Sequence, residues 1–341
     1  MRDLKIIGTG AYFPGQAVDN NTLSKLIGID QEWIDYFIGT KTRYFSVDLK
    51  SGEKKSNLTD LCASAATIAI SKASIDSKNI DAIVLATATP DHLMPATVNL
   101  VAQKLGINNI STFQVQSGCA GSVQALDLAC YLMGSKKFRN ILVIGGDTCN
   151  KFLDISQNFS ILSRKELVNY LLFGDGAGAL ILSSDPSKNG LYIDYLINKL
   201  TGLDKNPGQI IHWFAGKKDL IDFCEPITQE DYKEIEVSVP RLSKEVFDEI
   251  IYNTCWDKDE INYLLPPQLS KNMTEKIVEN IHINFQKTNV INCVEYTGNN
   301  GNALAFIQID QLFGKAKVGD KAVLVAIESS KWIKAGVAFH A

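Results

Sequence analysis

Three apolar runs limit what this chain can fold into: Asp81–Thr87 (DAIVLAT), Asn140–Gly145 (NILVIG) and Lys321–Ile327 (KAVLVAI). Each is too short for a buried helix and shows no polar alternation, which is how a strand buried on both faces reads. A sheet of such strands needs a helix layer on each side, and the helical spacing is there in Thr59–Ala73 and in Ala96–Leu105, closed by Gly106. The order of elements then recurs. Glu260–Leu265 ends at Pro266–Pro267 as Asp81–Thr87 ends near Pro90, and Lys271–Lys287 is helical. Asn289–Tyr296, the Gly298–Gly301 turn and the helix Ala303–Phe313 copy the strand, turn and helix of Phe113–Cys130. The fold class expected is α/β, in two similar halves, residues 1–185 and 186–341. Facing each other, they would bring Cys119 and the Gly298–Asn299 turn to a shared centre. A different strand order in the second half would break that expectation.

Other stretches read less regularly. Leu4–Gly8 is a short strand followed by a glycine turn (GTGAYFPG), and FGDGAGALILS is a glycine turn feeding a strand, unlike a dinucleotide loop, which feeds a helix. Residues Lys151–Glu166 form a polar surface excursion, Leu191–Leu220 is the least periodic part, and Thr228–Thr254 is a long amphipathic helix with a break expected at Pro240.

At 341 residues and 45% hydrophobic composition the chain can bury a full core. A net charge of −4 argues against nucleic acid or anionic membrane as a partner. No apolar run is long enough to span a bilayer and MRDLKIIGTG is no signal peptide, so a cytoplasmic protein is expected. Seven scattered cysteines without a C-x-x-C pair fit reduced thiols and no metal site.

One cysteine stands apart. In FQVQSGCAGSVQALDLAC an apolar strand ends in Ser117–Gly118–Cys119–Ala120–Gly121 and a helix follows. The glycines would let the backbone bend sharply, and the helix N-terminus would favour the thiolate of Cys119. That is the setting of a nucleophile, and the alternative is a buried packing cysteine.

The pieces LKIIGTGAYFPG, EWIDYFIGTKTRYF, DAIVLATATPDHLMPAT, SGCAGSVQALDLA, NILVIGGDT, LFGDGAGALIL, INYLLPPQ, YTGNN and VGDKAVLVA lie in order over nearly the whole chain. Together they resemble the ketoacyl-ACP synthase III branch of the thiolase-fold condensing enzymes. The resemblance implies a five-layered αβαβα thiolase fold and a homodimer. It implies an acyl-CoA or phosphopantetheinyl acyl-carrier-protein thioester as substrate, with no cofactor or metal. It carries the family's nucleophile onto Cys119 and its asparagine onto Asn299.

Three departures shape the functional expectation. The family's histidine position is Pro267, so of the pair that stabilises the enolate of malonyl decarboxylation only Asn299 remains. Losing one such donor costs about 2.7–4 kcal/mol. The family's glycine-rich stretch after its last strand here reads Glu328–Ser329–Ser330–Lys331, and the resemblance implies that this region supplies a backbone N–H of the oxyanion hole. The arginine that contacts coenzyme A, four residues after Trp33, is Phe37, leaving Lys41 and Arg43 as candidate phosphate contacts and favouring a carrier-protein donor. The expected activity is therefore acyl transfer through Cys119 to a small-molecule or carrier acceptor in specialised-metabolite biosynthesis, with His212 as candidate base. His92 is a weaker candidate, and His282 and His340 read as structural. A condensing enzyme that forms a carbon–carbon bond without the histidine is one alternative. A non-catalytic partner subunit of a paralogous ketosynthase is the other, and Pro267 speaks against ordinary fatty-acid initiation.

Overall fold

The computed structural model describes residues 3–151, 158–212 and 228–341. Its strands are β1 (Lys5–Tyr12), β2 (Val18–Asp19), β3 (Thr42–Arg43), β4 (Ala82–Thr87), β5 (Ser111–Gln116), β6 (Asn140–Thr148) and β7 (Asp175–Ser183), then β8 (Leu191–Leu200), β9 (Gln209–Ile211), β10 (Thr228–Glu230), β11 (Ile261–Leu265), β12 (Asn289–Val290), β13 (Lys321–Glu328) and β14 (Ile333–His340). The main sheet runs β12-β11-β13-β14-β8-β1-β7-β6-β4-β5. Its two middle strands share only the pairs Lys5↔Tyr192 and Ile6↔Leu191, so it is two five-stranded sheets spliced at one corner. Within each, the first strand in the chain pairs with the fifth, then come the fourth, second and third. The directions match as well. β4 is parallel to β5 and β6, and β11 to β12 and β13, while β7 and β14 run antiparallel to their neighbours. The strand order is thus duplicated, as the facing of Cys119 and Asn299 requires.

The helices are α1 (Asn20–Ile27), α2 (Gln31–Phe37), α3 (Leu58–Ala73), α4 (Thr97–Lys104), α5 (Gly121–Gly134), α6 (Arg164–Leu172), α7 (Tyr232–Thr254), α8 (Lys271–Ile281), α9 (Val294–Thr297) and α10 (Ala303–Phe313). Strand periodicity sorts the core into layers. Ile83 and Leu85 of β4 face Leu61, Ala65 and Ala69 of α3, whereas Val84 and Ala86 face the middle layer of α5 and α10 with Val123, Leu126 and Phe306. Leu324 and Val337 of the second sheet close that middle layer, and Val323 and Val325 face Val246 and Phe247 of α7. The result is αβαβα, the expected thiolase fold. Each fully buried Leu, Ile or Val contributes about 1.5–3 kcal/mol of transfer free energy.

Several local expectations change. Gly8 and Gly10 of GTGAY lie inside β1, and Gly176 and Gly178 of GDGAG inside β7; helices cross these strands closely, and a Cβ on Gly10 would sit 2.3 Å from Ala65 O. Pro240 does not break α7; it is buried within one helix and its carbonyl accepts from Asn280 Nδ2 at 2.9 Å. Leu191–Leu200 is a ten-residue strand, and Asn289–Tyr296 is a two-residue strand followed by α9. His282 caps α8 in the left-handed region. The end of the Lys151–Glu166 excursion is α6, opened by a Ser163–Glu166 capping box. Residues 152–157 of that excursion and 213–220 of the Leu191–Leu220 stretch lie outside the described residues.

Candidate active site

Two strand–turn–helix units meet at the centre. β5 gives way to a turn in which Gly121 N–H donates to Gly118 O at 2.8 Å, and α5 starts there. Opposite, the turn Gly298–Asn302 opens α10. Asn302 joins the two: its Nδ2 donates to Ser117 O at 2.8 Å, and its carbonyl accepts from Ser122 Oγ. Neither Gly118 nor Gly121 uses left-handed backbone. They are glycines for space, since a Cβ on Gly121 would sit 2.3 Å from Asn302 Oδ1 and one on Gly118 would sit 3.2 Å from the carboxyl carbon of Glu328.

Asp147, near the end of β6, ties this junction to the first sheet. Its Oδ1 accepts from Thr87 Oγ1 (2.9 Å), Ala88 N–H (2.8 Å), Thr89 N–H (3.1 Å) and Thr89 Oγ1 (2.9 Å), and its Oδ2 from Asn302 N–H (2.8 Å) and Nδ2 (2.9 Å). Burial nevertheless raises its pKa above the ordinary carboxylate value, with those hydrogen bonds opposing.

Cys119 is partly exposed to a cavity of about 220 Å³, which Asp147, Cys149 and Gly301 also line. The far wall is α6, with Glu166, Asn169 and Tyr170, and the β9–β10 ribbon, with Gln209, Ile211 and Thr228. Burial pushes the Cys119 thiol up to about 12, and the charges of Glu328 and Asp147 add to it, opposed by a backbone hydrogen bond. Glu328, the last residue of β13, is 4% exposed; Oε2 accepts from Ser117 Oγ at 2.5 Å and Oε1 from Ser330 Oγ.

The remaining candidates distribute as follows. Asn299 is buried and is not among the described lining residues; its Oδ1 accepts from Gly301 N–H at 3.0 Å, which leaves Nδ2 as the side chain's donor. Pro267 is buried after β11, with its carbonyl accepting from Thr274 Oγ1. Gln209 and Ile211 line the cavity; His212, which follows β9, is not among the described lining residues, and its Nε2 lies 3.2 Å from Gln229 Nε2. No histidine lines the cavity among the described residues; His92 is exposed, and His340 pairs with Asp194 at 2.6 Å.

On the outer face, Trp33 and Phe37 pack ring on ring at 4.9 Å with Phe37 half exposed. Lys41 pairs with Glu295 at 2.7 Å. Arg43, expected as a phosphate contact, is instead fully buried: its guanidinium donates to Leu171 O and Asn20 Oδ1, and burial lowers its pKa to about 10. Its side chain is part of the core beneath α6. The sequence reading gave Asp147 and Asn302 no role and treated Glu328 only as a backbone change. The available signal was a carboxylate closing each of two buried strands.

The family model for 3-oxoacyl-[acyl-carrier-protein] synthase III matches residues 113–198, which include Cys119. The beta-ketoacyl-[acyl-carrier-protein] synthase III of Neisseria meningitidis serogroup C is 33% identical over 334 residues, 96% of each chain. That of Campylobacter fetus is 30% identical over 341 residues, 96% of this chain and 95% of the relative. The chain belongs to the beta-ketoacyl-ACP synthase III family.

Among solved structures, AbyA1, a tetronic acid condensing enzyme, is similar at 40% identity with a TM-score of 0.95, over 99% of this chain and 100% of that one. The 3-oxoacyl-ACP synthase III of Aquifex aeolicus is similar at 26% identity and TM-score 0.81, over 99% and 100%. Synthase III enzymes condense or transfer acyl groups carried as coenzyme A or carrier-protein thioesters, and need no metal or other cofactor. Among the described residues of this synthase III relative, no helix is long and apolar enough to cross a membrane.

Proposed function

We propose that Cys119 accepts an acyl group from a carrier-protein or coenzyme A thioester and passes it to an acceptor without malonyl decarboxylation. The observation that carries this is the cavity itself: a cysteine at the start of a central helix, reachable from a space in which no described lining residue is an imidazole. In the first half-reaction the Cys119 sulfur attacks the thioester carbonyl, the carrier leaves as thiol, and the Cys119 proton ends on it. In the second, an acceptor hydroxyl, amine or thiol attacks the acyl-enzyme, loses its proton and restores the Cys119 thiol. Asn299 Nδ2 supplies a donor to the carbonyl oxygen that gains charge. The donor arm enters past the Trp33–Phe37 face, with Lys41 beside it.

The likeness to AbyA1 favours a second reading, in which the acceptor is an already acidic carbon and the product a condensation. The exposed Leu93 and Met94 and the edge strand β5 support a homodimer through that side. A place in cytoplasmic natural-product biosynthesis fits both readings. The test is to load Cys119 from a panel of acyl thioesters and then offer amines, alcohols, thiols and a β-ketoacyl thioester. Discharge onto any of them without carbon dioxide release supports the proposal; consumption of a malonyl thioester with carbon dioxide release contradicts it.

A further inference from the structure

Buried carboxylates normally sit beside a cation, because an unpaired charge in the interior is costly. Glu328 has none among the described ion pairs; two hydroxyls, Ser117 Oγ and Ser330 Oγ, hold it against Gly118. Gly118 and Cys119 line the cavity on the other side of that contact. The described cavity wall adds Asp147 and Glu166, and no lysine or arginine is among the described lining residues. Lys151, described beside it, donates to Thr89 O and Pro90 O; burial lowers its pKa, opposed by the charges of Asp91, Asp147 and Cys149. Among the described residues, the carboxylates whose charge acts on the Cys119 sulfur are Glu328 from β13 and Asp147 from β6. A buried charge is screened far less by salt than a surface one.

We infer that Glu328 determines which substrates reach Cys119 by charge: it admits acyl groups that are uncharged near the thioester and excludes those bearing a carboxylate there. This rests on the reading of Cys119 as the acyl carrier, and it names the substrate class. Two features of the chain then act together. Pro267 removes a group that decarboxylation uses, and Glu328 repels the malonyl-type anion that decarboxylation consumes.

The probe is a pair of alkylating agents of nearly equal size, neutral iodoacetamide and anionic iodoacetate, with rates read on the Cys119 peptide by mass spectrometry. The wild-type preference for iodoacetamide exceeds that of free 2-mercaptoethanol by about tenfold or more. In Glu328→Gln, which keeps an acceptor for Ser117 or Ser330, the excess falls to about threefold or less, and the pH midpoint of alkylation drops by about one unit. Glu328→Asp restores both. A wild-type preference equal to that of 2-mercaptoethanol overturns the inference without recourse to any variant, and so does an unchanged preference in a folded Glu328→Gln protein. With butyryl- and malonyl-CoA as donors, the same variant raises malonyl loading relative to butyryl loading. If no thioester loads while the alkylation preference holds, the acyl-transfer reading fails and the assignment of Glu328 stands.

Discussion

Replacing Asp147 with asparagine tests whether the two turns are held together from β6. The carboxylate accepts backbone N–H groups on both oxygens: Ala88 and Thr89 on Oδ1, Asn302 on Oδ2. An amide therefore aims its NH2 at a backbone donor in either orientation. With Nδ2 toward Asn302, two bonds to a charged acceptor are lost. At about 1.5–3 kcal/mol each that is about 3–6 kcal/mol, and no longer burying a charge offsets part of it. The net expectation is a destabilisation of about 2–4 kcal/mol. It is read from the denaturant midpoint followed by the fluorescence of the four tryptophans. Because Asn302 Nδ2 also holds Ser117 O, Cys119 should load more slowly in the folded variant as well. A loss below about 1 kcal/mol, with loading unchanged, would refute the role given to Asp147.

Three further outcomes follow from the same geometry. Arg43→Ala leaves Leu171 O and Asn20 Oδ1 buried without their donor, so it lowers stability by about 2–4 kcal/mol. Donor affinity measured on the folded protein stays unchanged, as a phosphate contact would not allow. Asp175 is fully buried, and its pKa is raised to about 6 by burial, against the bonds from Ser46 and Asn150. Between about 4 and 6 the native state then holds a proton that the unfolded state has lost. Its contribution to stability thus falls as pH rises through that window and is level above it; thermal melts of wild type against Asp175→Asn should converge below pH 4. His212→Ala leaves discharge of the acyl-enzyme within about twofold of wild type, the size of effect expected of a residue outside general-base reach; a tenfold slowing would place the imidazole in the reaction.

The layers were legible in the chain because both faces of β4, β6 and β13 are apolar, and only a sheet between helices satisfies that pattern. The duplicated order was legible from the paired proline and glycine signals. Glycine misled where it serves packing: in β1 and β7 it marks helices crossing close to the strand, and the local pattern of Gly8 and Gly10 does not differ from that of a turn. α6 was missed because its capping box follows a polar segment, although it builds a wall of the cavity. Cys119 could be singled out because it follows a strand at a glycine turn, and Asn299 because the family resemblance falls on the Gly298–Gly301 turn. Glu328 and Asp147 act across the sheets, with partners 211 and 155 residues away in the chain, and no local signal carries such a pairing. Arg43 reads as a surface cation because burial of a charge depends on partners such as Leu171, far away in sequence.

The central claim is tested most directly by intact-mass measurement after incubation with acyl thioesters of coenzyme A and of a carrier protein. One acyl adduct should appear on wild type, map to the Cys119 peptide and vanish in Cys119→Ala. A folded wild-type protein that gains no mass from any donor, or gains it equally in the variant, would contradict the account.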